Sequence, residues 1–126
     1  SAVTDVTGFG LLGHALEMSR GAGLGVEIDA DAPALLPEVE ALLRDGVRTG
    51  ASARNWASYG GAVTASVPDW RQDLLTDPQT SGGLLIAVEA ERAAAVMDLA
   101  LSRGFRASRI VGRVTAGPPG VTVVGS

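Results

Sequence analysis

The sequence predicts an α+β domain built on a ferredoxin-like βαββαβ core, with an additional N-terminal helix and a C-terminal strand. Three observations predict it. Short runs of alternating or continuous apolar residues recur at 24–29, 62–67, 84–88, 109–115 and 121–124, which is the strand signal. Two stretches with helical spacing, 33–45 and 90–103, fall between strands where a split βαβ order needs them. A further helical stripe opens the chain at 7–22, outside that order. At 126 residues the whole of 1–126 reads as one domain, long enough for a single core.

Each element has a local cause. In 7–22, Phe9, Leu12, Ala15 and Leu16 make one stripe; Thr7 is the expected N-cap, and Gly21 and Gly23 close the helix. LGVEID at 24–29 alternates as a half-buried strand does. The helix at 33–45 buries Leu36, Val39, Leu42 and Leu43, with Pro37 delaying its start and Gly46 ending it. Residues 47–61 are least regular and allow a short helical turn around 52–58. AVTASV at 62–67 is a strand stopped by Pro68, and 68–83 reads as a long irregular connection. Leu84–Val88 is an apolar strand, and Ala90–Arg103 is an Ala- and Leu-rich helix stopped by Gly104. A strand at 109–115, a Gly-Pro-Pro-Gly turn at 117–120 and a strand at 121–124 finish the chain.

Composition excludes several functions. There is no cysteine, hence no disulfide, no thiolate metal site and no cysteine nucleophile. The ten basic residues are all arginine, so a lysine-containing phosphate loop is impossible. A net charge of −4 argues against a nucleic-acid surface. No apolar run approaches the roughly 18 residues that span a bilayer, and no signal peptide is visible. A cytoplasmic protein with neither nucleic-acid nor membrane partner is expected.

Two segments carry the chemistry: TDVTGFGLLGH at 4–14 and LLTDPQTSGGLL at 74–85. Glycine in an element interior is costly unless backbone must come close to something, so Gly8, Gly10 and Gly13 at a helix entrance need a reason. Asp5, just ahead of that entrance, either caps the helix or its turn, or is a hard oxygen ligand for Mg²⁺. His14, the one histidine, has no Asp-Ser or Cys arrangement beside it and reads as a packing or hydrogen-bonding residue. In the second segment Gly82 and Gly83 can turn successive N–H groups inward as an anion nest, or simply form a turn in which Asp77 and Thr80 bond backbone. Arg71 and Asp73 read as a solvated face, and Trp56, Tyr59 and Trp70 as aromatics that pack the loop down.

Both segments and the gap between them resemble the carboxy-terminal domain of the selenophosphate synthetase (selenide, water dikinase) family, in the aminoimidazole ribonucleotide synthetase-like superfamily. The resemblance implies an amino-terminal ATP-binding catalytic domain, absent from this chain, that brings the reactive cysteine or selenocysteine and the lysine. It implies that Asp5 helps bind the Mg²⁺ that holds ATP, the remaining acidic ligands coming from that domain. It places Gly8, Gly10, Thr80, Ser81, Gly82 and Gly83 along an interdomain cleft, with no catalytic residue in this chain. The implied reaction turns selenide, ATP and water into selenophosphate, AMP and phosphate, and the isolated domain is expected to be inactive. Two alternatives stand beside it. One is the matching domain of another ATP-using relative, of hydrogenase maturation factor or thiamine-monophosphate kinase type; the other is a non-catalytic ferredoxin-like interaction module. The expected partners are the chain's own amino-terminal domain, ATP and selenide, with self-association through Phe9, Leu11 and Leu12.

Overall fold

The computed structural model describes residues 2–79 and 82–125. Strand β1 (Ala2–Asp5) leads into helix α1 (Gly10–Ala22) and strand β2 (Gly25–Asp29). Helices α2 (Val39–Arg44) and α3 (Gly50–Tyr59) follow, then β3 (Val63–Ala65) and α4 (Asp69–Thr76). Strand β4 (Leu84–Ala87), helix α5 (Ala93–Ser102), β5 (Gly112–Thr115) and β6 (Gly120–Val124) complete the order. Single 3₁₀ turns join α3 to β3 and precede α5.

The main sheet runs β3–β6–β2–β5, with β2 antiparallel to β5 and parallel to β6, and β3 parallel to β6. Inward positions alternate along β2 and β6, where Val26 faces Val121 and Ile28 faces Val123. Helix α1 lays Leu12, Ala15 and Leu16 into the same core, and α4 adds Leu75. The α1 stripe is therefore the predicted one at Leu12, Ala15 and Leu16, but not at Phe9, which precedes the helix and is exposed. Gly23, at φ 69°, ends the helix in the left-handed region, as expected. Buried Ser19 secures the turn into β2: its hydroxyl donates to the Leu24 carbonyl, and the Gly120 amide donates back to it at 2.8 Å.

Helices on a mixed sheet agree with the α+β expectation, but the ferredoxin-like strand order is not what is seen. That order places β4 between β2 and β3, antiparallel to both. Here β6 occupies that position, parallel to both, and β4 pairs antiparallel with β1 in a separate two-stranded ribbon. The cause is the unanticipated β1. Residues 2–5 offer β4 a free antiparallel edge, while β6 has valines at both inward positions and suits the sheet centre better.

Four local expectations also change. The helix expected over 33–45 is only α2, and it buries none of Leu36, Val39, Leu42 and Leu43. Residues 68–83 are not wholly irregular: Pro68 precedes α4, its fixed φ suited to a helix start, with Asp69 in the first turn. Helix α1 begins at Gly10, after Phe9, so Thr7 is not its N-cap. The turn expected near 52–58 is a full helix, α3, capped by Thr49 through the Ser52 amide at 3.3 Å.

Candidate functional site

The two glycine-rich segments meet. Beyond the β1–β4 ladder, the Val6 amide donates to the Gly83 carbonyl at 2.9 Å, and the Gln79 amide donates to the Thr7 carbonyl at 2.9 Å. The Gly10 amide shares that Thr7 carbonyl at 3.1 Å. Gly10 has φ +72°, and a Cβ there would lie 2.6 Å from the Thr76 carbonyl carbon. A Cβ on Gly82 would overlap the Val6 carbonyl. These two glycines let backbone from one segment pass against backbone of the other. Nothing lies within 4 Å of where a Cβ on Gly8 or Gly83 would sit, so these two leave open space.

Side chains from α3 fasten the junction. Asn55 donates through one amide nitrogen to the Gly8 and Thr76 carbonyls, each at 2.9 Å, bridging the two segments. The Tyr59 hydroxyl donates to the Phe9 carbonyl, and its ring packs where a side chain on Gly13 would have to go. Burial lifts the Tyr59 phenol from its usual 10.0 to about 12, with a backbone hydrogen bond to Gly13 opposing the shift. Trp56 and Tyr59, expected to pack the loop down, pack against the core. Trp70 instead lies between Arg44 and Arg71, 4.6 and 4.3 Å from its ring centre.

Asp5 ends β1, opposite Leu84, and is exposed. It stands four residues before Phe9, the N-cap position of α1, which has no side-chain cap, so Asp5 does not cap that helix. Among the described residues its carboxylate has no hydrogen-bond or ion-pair partner. A carboxylate is a hard-oxygen donor of the type magnesium takes. Among the described residues no three His, Cys, Asp or Glu side chains cluster as a metal site. One carboxylate is not a metal site by itself, and an ion here would need further ligands. On the face carrying Asp5, the β1–β4 ribbon presents Val3, Leu84 and Ile86, all exposed. Leu85, on the opposite face, packs against the core.

In the second segment Asp77 accepts from the Thr49 and Ser52 hydroxyls, each at 3.4 Å, and from the Gln79 side chain. Its carboxylate is tied to side chains at the start of α3 and not to the backbone groups that the turn reading expects. Thr80 and Ser81 lie outside the described residues. Arg71 and Asp73 are not a solvated face. Arg71 binds Asp31 at 2.9 Å and the Ala30 carbonyl with its side chain 12% exposed, and Asp73 meets Arg48 at 3.4 Å. Of the apolar trio expected at the helix entrance, Leu12 is 1% exposed in the chain's own core and Leu11 packs beside it; Phe9 alone is open, at 57%.

Sequence reading missed Asn55, which carried no signal beyond an amide in an irregular stretch. It also missed the partners of His14. The ring's Nε2 lies 2.9 Å from the Thr7 hydroxyl oxygen and its Nδ1 3.0 Å from Glu17. The spacing from His14 to Glu17, three residues on one helix, could have found the second of these.

A family model described as AIR synthase related protein, C-terminal domain, matches residues 1–125. The chain is 50% identical to a selenide, water dikinase of Pseudomonas straminea over 124 residues, covering 97% of this chain and 35% of the relative. It is 45% identical to the selenide, water dikinase of Dechloromonas aromatica, covering 98% of this chain and 36% of that one. The chain therefore spans about a third of the length of the curated relatives it matches. Among solved structures, a thiamine-monophosphate kinase from Stenotrophomonas maltophilia superposes with TM-score 0.65 at 21% identity, covering 99% of this chain and 31% of that one. That likeness concerns the fold.

Proposed function

Because the chain belongs to the AIR synthase related family as a C-terminal domain, we propose that it forms one wall of the ATP site of a selenophosphate synthetase. The whole protein would convert selenide, ATP and water into selenophosphate, AMP and phosphate. One observation carries the reading: Asp5 is an exposed carboxylate with no partner among the described residues, on the strand end paired with Leu84, next to the bare backbone of Gly83. Asp5 would hold Mg²⁺ together with carboxylates of a preceding domain. Bound there, the ion neutralises phosphate charge. Gly8 and Gly83, where a Cβ would meet nothing, would line the cleft, and this chain alone would lack the catalytic groups.

The same preceding domain would cover the apolar ribbon face of Val3, Leu84 and Ile86, which exposed patches of this kind serve in multidomain proteins. Without that cover the isolated chain would self-associate through the ribbon. Sedimentation should then show a concentration-dependent dimer that Ile86→Glu disperses; a monomer at every concentration would remove this part of the reading. Another ATP-using relative is the second reading, for which the thiamine-monophosphate kinase likeness gives the fold alone. The selenide, water dikinase name of the relatives at 45–50% identity supports the first.

The test is Asp5→Asn in the protein carrying its preceding domain. ATP turnover should fall on the order of 10²-fold, the scale of one lost electrostatic contact in a site. Stability should move by less than about 0.5 kcal/mol, as for a surface change. Retained turnover with a clear loss of stability would instead make Asp5 a structural residue. The chain alone should form no AMP in the presence of selenide.

A further inference from the structure

Thr7, His14 and Glu17 form a hydroxyl–imidazole–carboxylate chain that a magnesium contact at Asp5 does not require. His14 is 6% exposed, its ring edge-on to Phe9 at 5.9 Å between centres, while Thr7 and Glu17 both reach the surface. A carboxylate only accepts, so the ring nitrogen 3.0 Å from Glu17, Nδ1, carries a proton. In the neutral ring Nε2 then has none and accepts from Thr7 at 2.9 Å. With the ring neutral, Thr7 spends its hydroxyl proton on the protein interior and keeps oxygen lone pairs for whatever lies outside. Such an oxygen suits a cation or its bound water; a phosphate oxygen, needing a donor, would be refused. The Thr7 carbonyl is also occupied, by the Gly10 and Gln79 amides, so Thr7 is the residue at which both glycine-rich segments are pinned.

We propose that His14, oriented by Glu17, is a positioning residue that sets Thr7 as an oxygen acceptor for the hydrated cation held beside it by Asp5. The proposal rests on the magnesium reading above and adds to it the Thr7 oxygen and the imidazole behind it. Glu17 sets the tautomer, the tautomer sets which way the Thr7 proton points, and that direction selects cation water over phosphate.

Two arms test it. In this chain, ¹⁵N spectra of the neutral imidazole should show Nδ1 protonated and Nε2 bare, and Thr7→Val should shift the Nε2 resonance. An Nε2-protonated ring, or a resonance indifferent to Thr7→Val, would overturn the relay. In the protein with its preceding domain, His14→Gln places an amide near Nε2 and can still take the Thr7 proton, whereas His14→Asn reaches only toward Glu17. The Mg²⁺ concentration for half-maximal turnover should rise about tenfold in His14→Asn and Thr7→Val, and less than about threefold in His14→Gln, the scale of one hydrogen bond. Equal effects in the two His14 variants, or effects that follow their thermal midpoints, would make His14 a packing residue. Thr7→Val, at an exposed position, keeps the test open should the His14 variants fold poorly. If Asp5→Asn leaves turnover intact, the magnesium reading and the acceptor role fall together; a wrong tautomer fells the relay and leaves the magnesium reading standing.

Discussion

Helices α1 and α5 are both rich in alanine and leucine, yet they end in opposite surroundings. Helix α1 buries Leu12, His14, Ala15, Leu16 and Ser19 on one face and turns its entrance into a junction with α3 and α4. Helix α5, AAAVMDLALS, has no buried residue, and its Leu99 and Leu101 are exposed. The difference lies in patterning. A stripe at three- and four-residue spacing finds one partner and leaves a polar back, whereas a helix apolar nearly all round needs cover on more than one side. The β1–β4 ribbon resembles α5 in this respect, with Val3, Leu84 and Ile86 open beside Asp5. One half of the molecule is closed on itself; the other half presents apolar surface.

The sharpest way to break that comparison is at the closed junction. Gly10→Ala and Gly82→Ala each force a Cβ into backbone, and at Gly10 also into an unfavourable φ. Each should cost about 3 kcal/mol or more in denaturant unfolding, among the large values that backbone strain and overpacking produce. Gly83→Ala meets nothing within 4 Å and should stay within about 0.5 kcal/mol of the parent chain. If all three behave alike, the close approach of the two segments is not what those glycines serve.

Truncating the two helices should give the next largest contrast. Leu12→Ala removes a side chain that is 1% exposed and should destabilise by about 2–5 kcal/mol. Leu99→Ala, at 56% exposed, should change the isolated chain by less than about 0.5 kcal/mol. A large effect at Leu99 would mean that α5 is covered in solution after all, most simply by a second copy of the chain.

Tyr59 sharpens the comparison with the smallest effect. Its phenol is held above the ordinary value, so the folded chain keeps that proton where the unfolded chain gives it up. The stability it contributes is fully present below pH 10 and is lost as pH climbs toward about 12. Tyr59→Phe should therefore be the less stable protein at neutral pH, by about 1 kcal/mol for the lost hydrogen bond to Phe9. Across pH 10 to 12 the gap should narrow. A pH-independent gap would mean that the Tyr59 hydroxyl is not desolvated at the mouth of α1.

Much of this was legible in the residues before any coordinates. The α1 stripe, the glycine stops at Gly23 and Gly46, and the alternation of 24–29 and 121–124 depend on neighbours a few positions away along one element. So does the chemistry of TDVTGFG and DPQTSGG, whose hydroxyls, carboxylates and glycines mark a polar backbone-rich surface wherever they fold. Local spacing thus marked α1, β2, β6 and the two segments that matter, but it missed β1 and α4 and reduced α3 to a turn. Only the tertiary structure decided that β6 takes the central place and β4 pairs with β1, because strand pairing turns on which edges are free and which faces can be buried together. It likewise brought Asn55 across to Gly8 and Thr76, drew Thr7 onto His14, and set Gly10 against Thr76 and Gly82 against Val6. Apart from Thr7 with His14, those contacts join residues far apart in the chain, and at Gly10 and Gly82 they bring backbone against backbone, which no period in a single segment encodes.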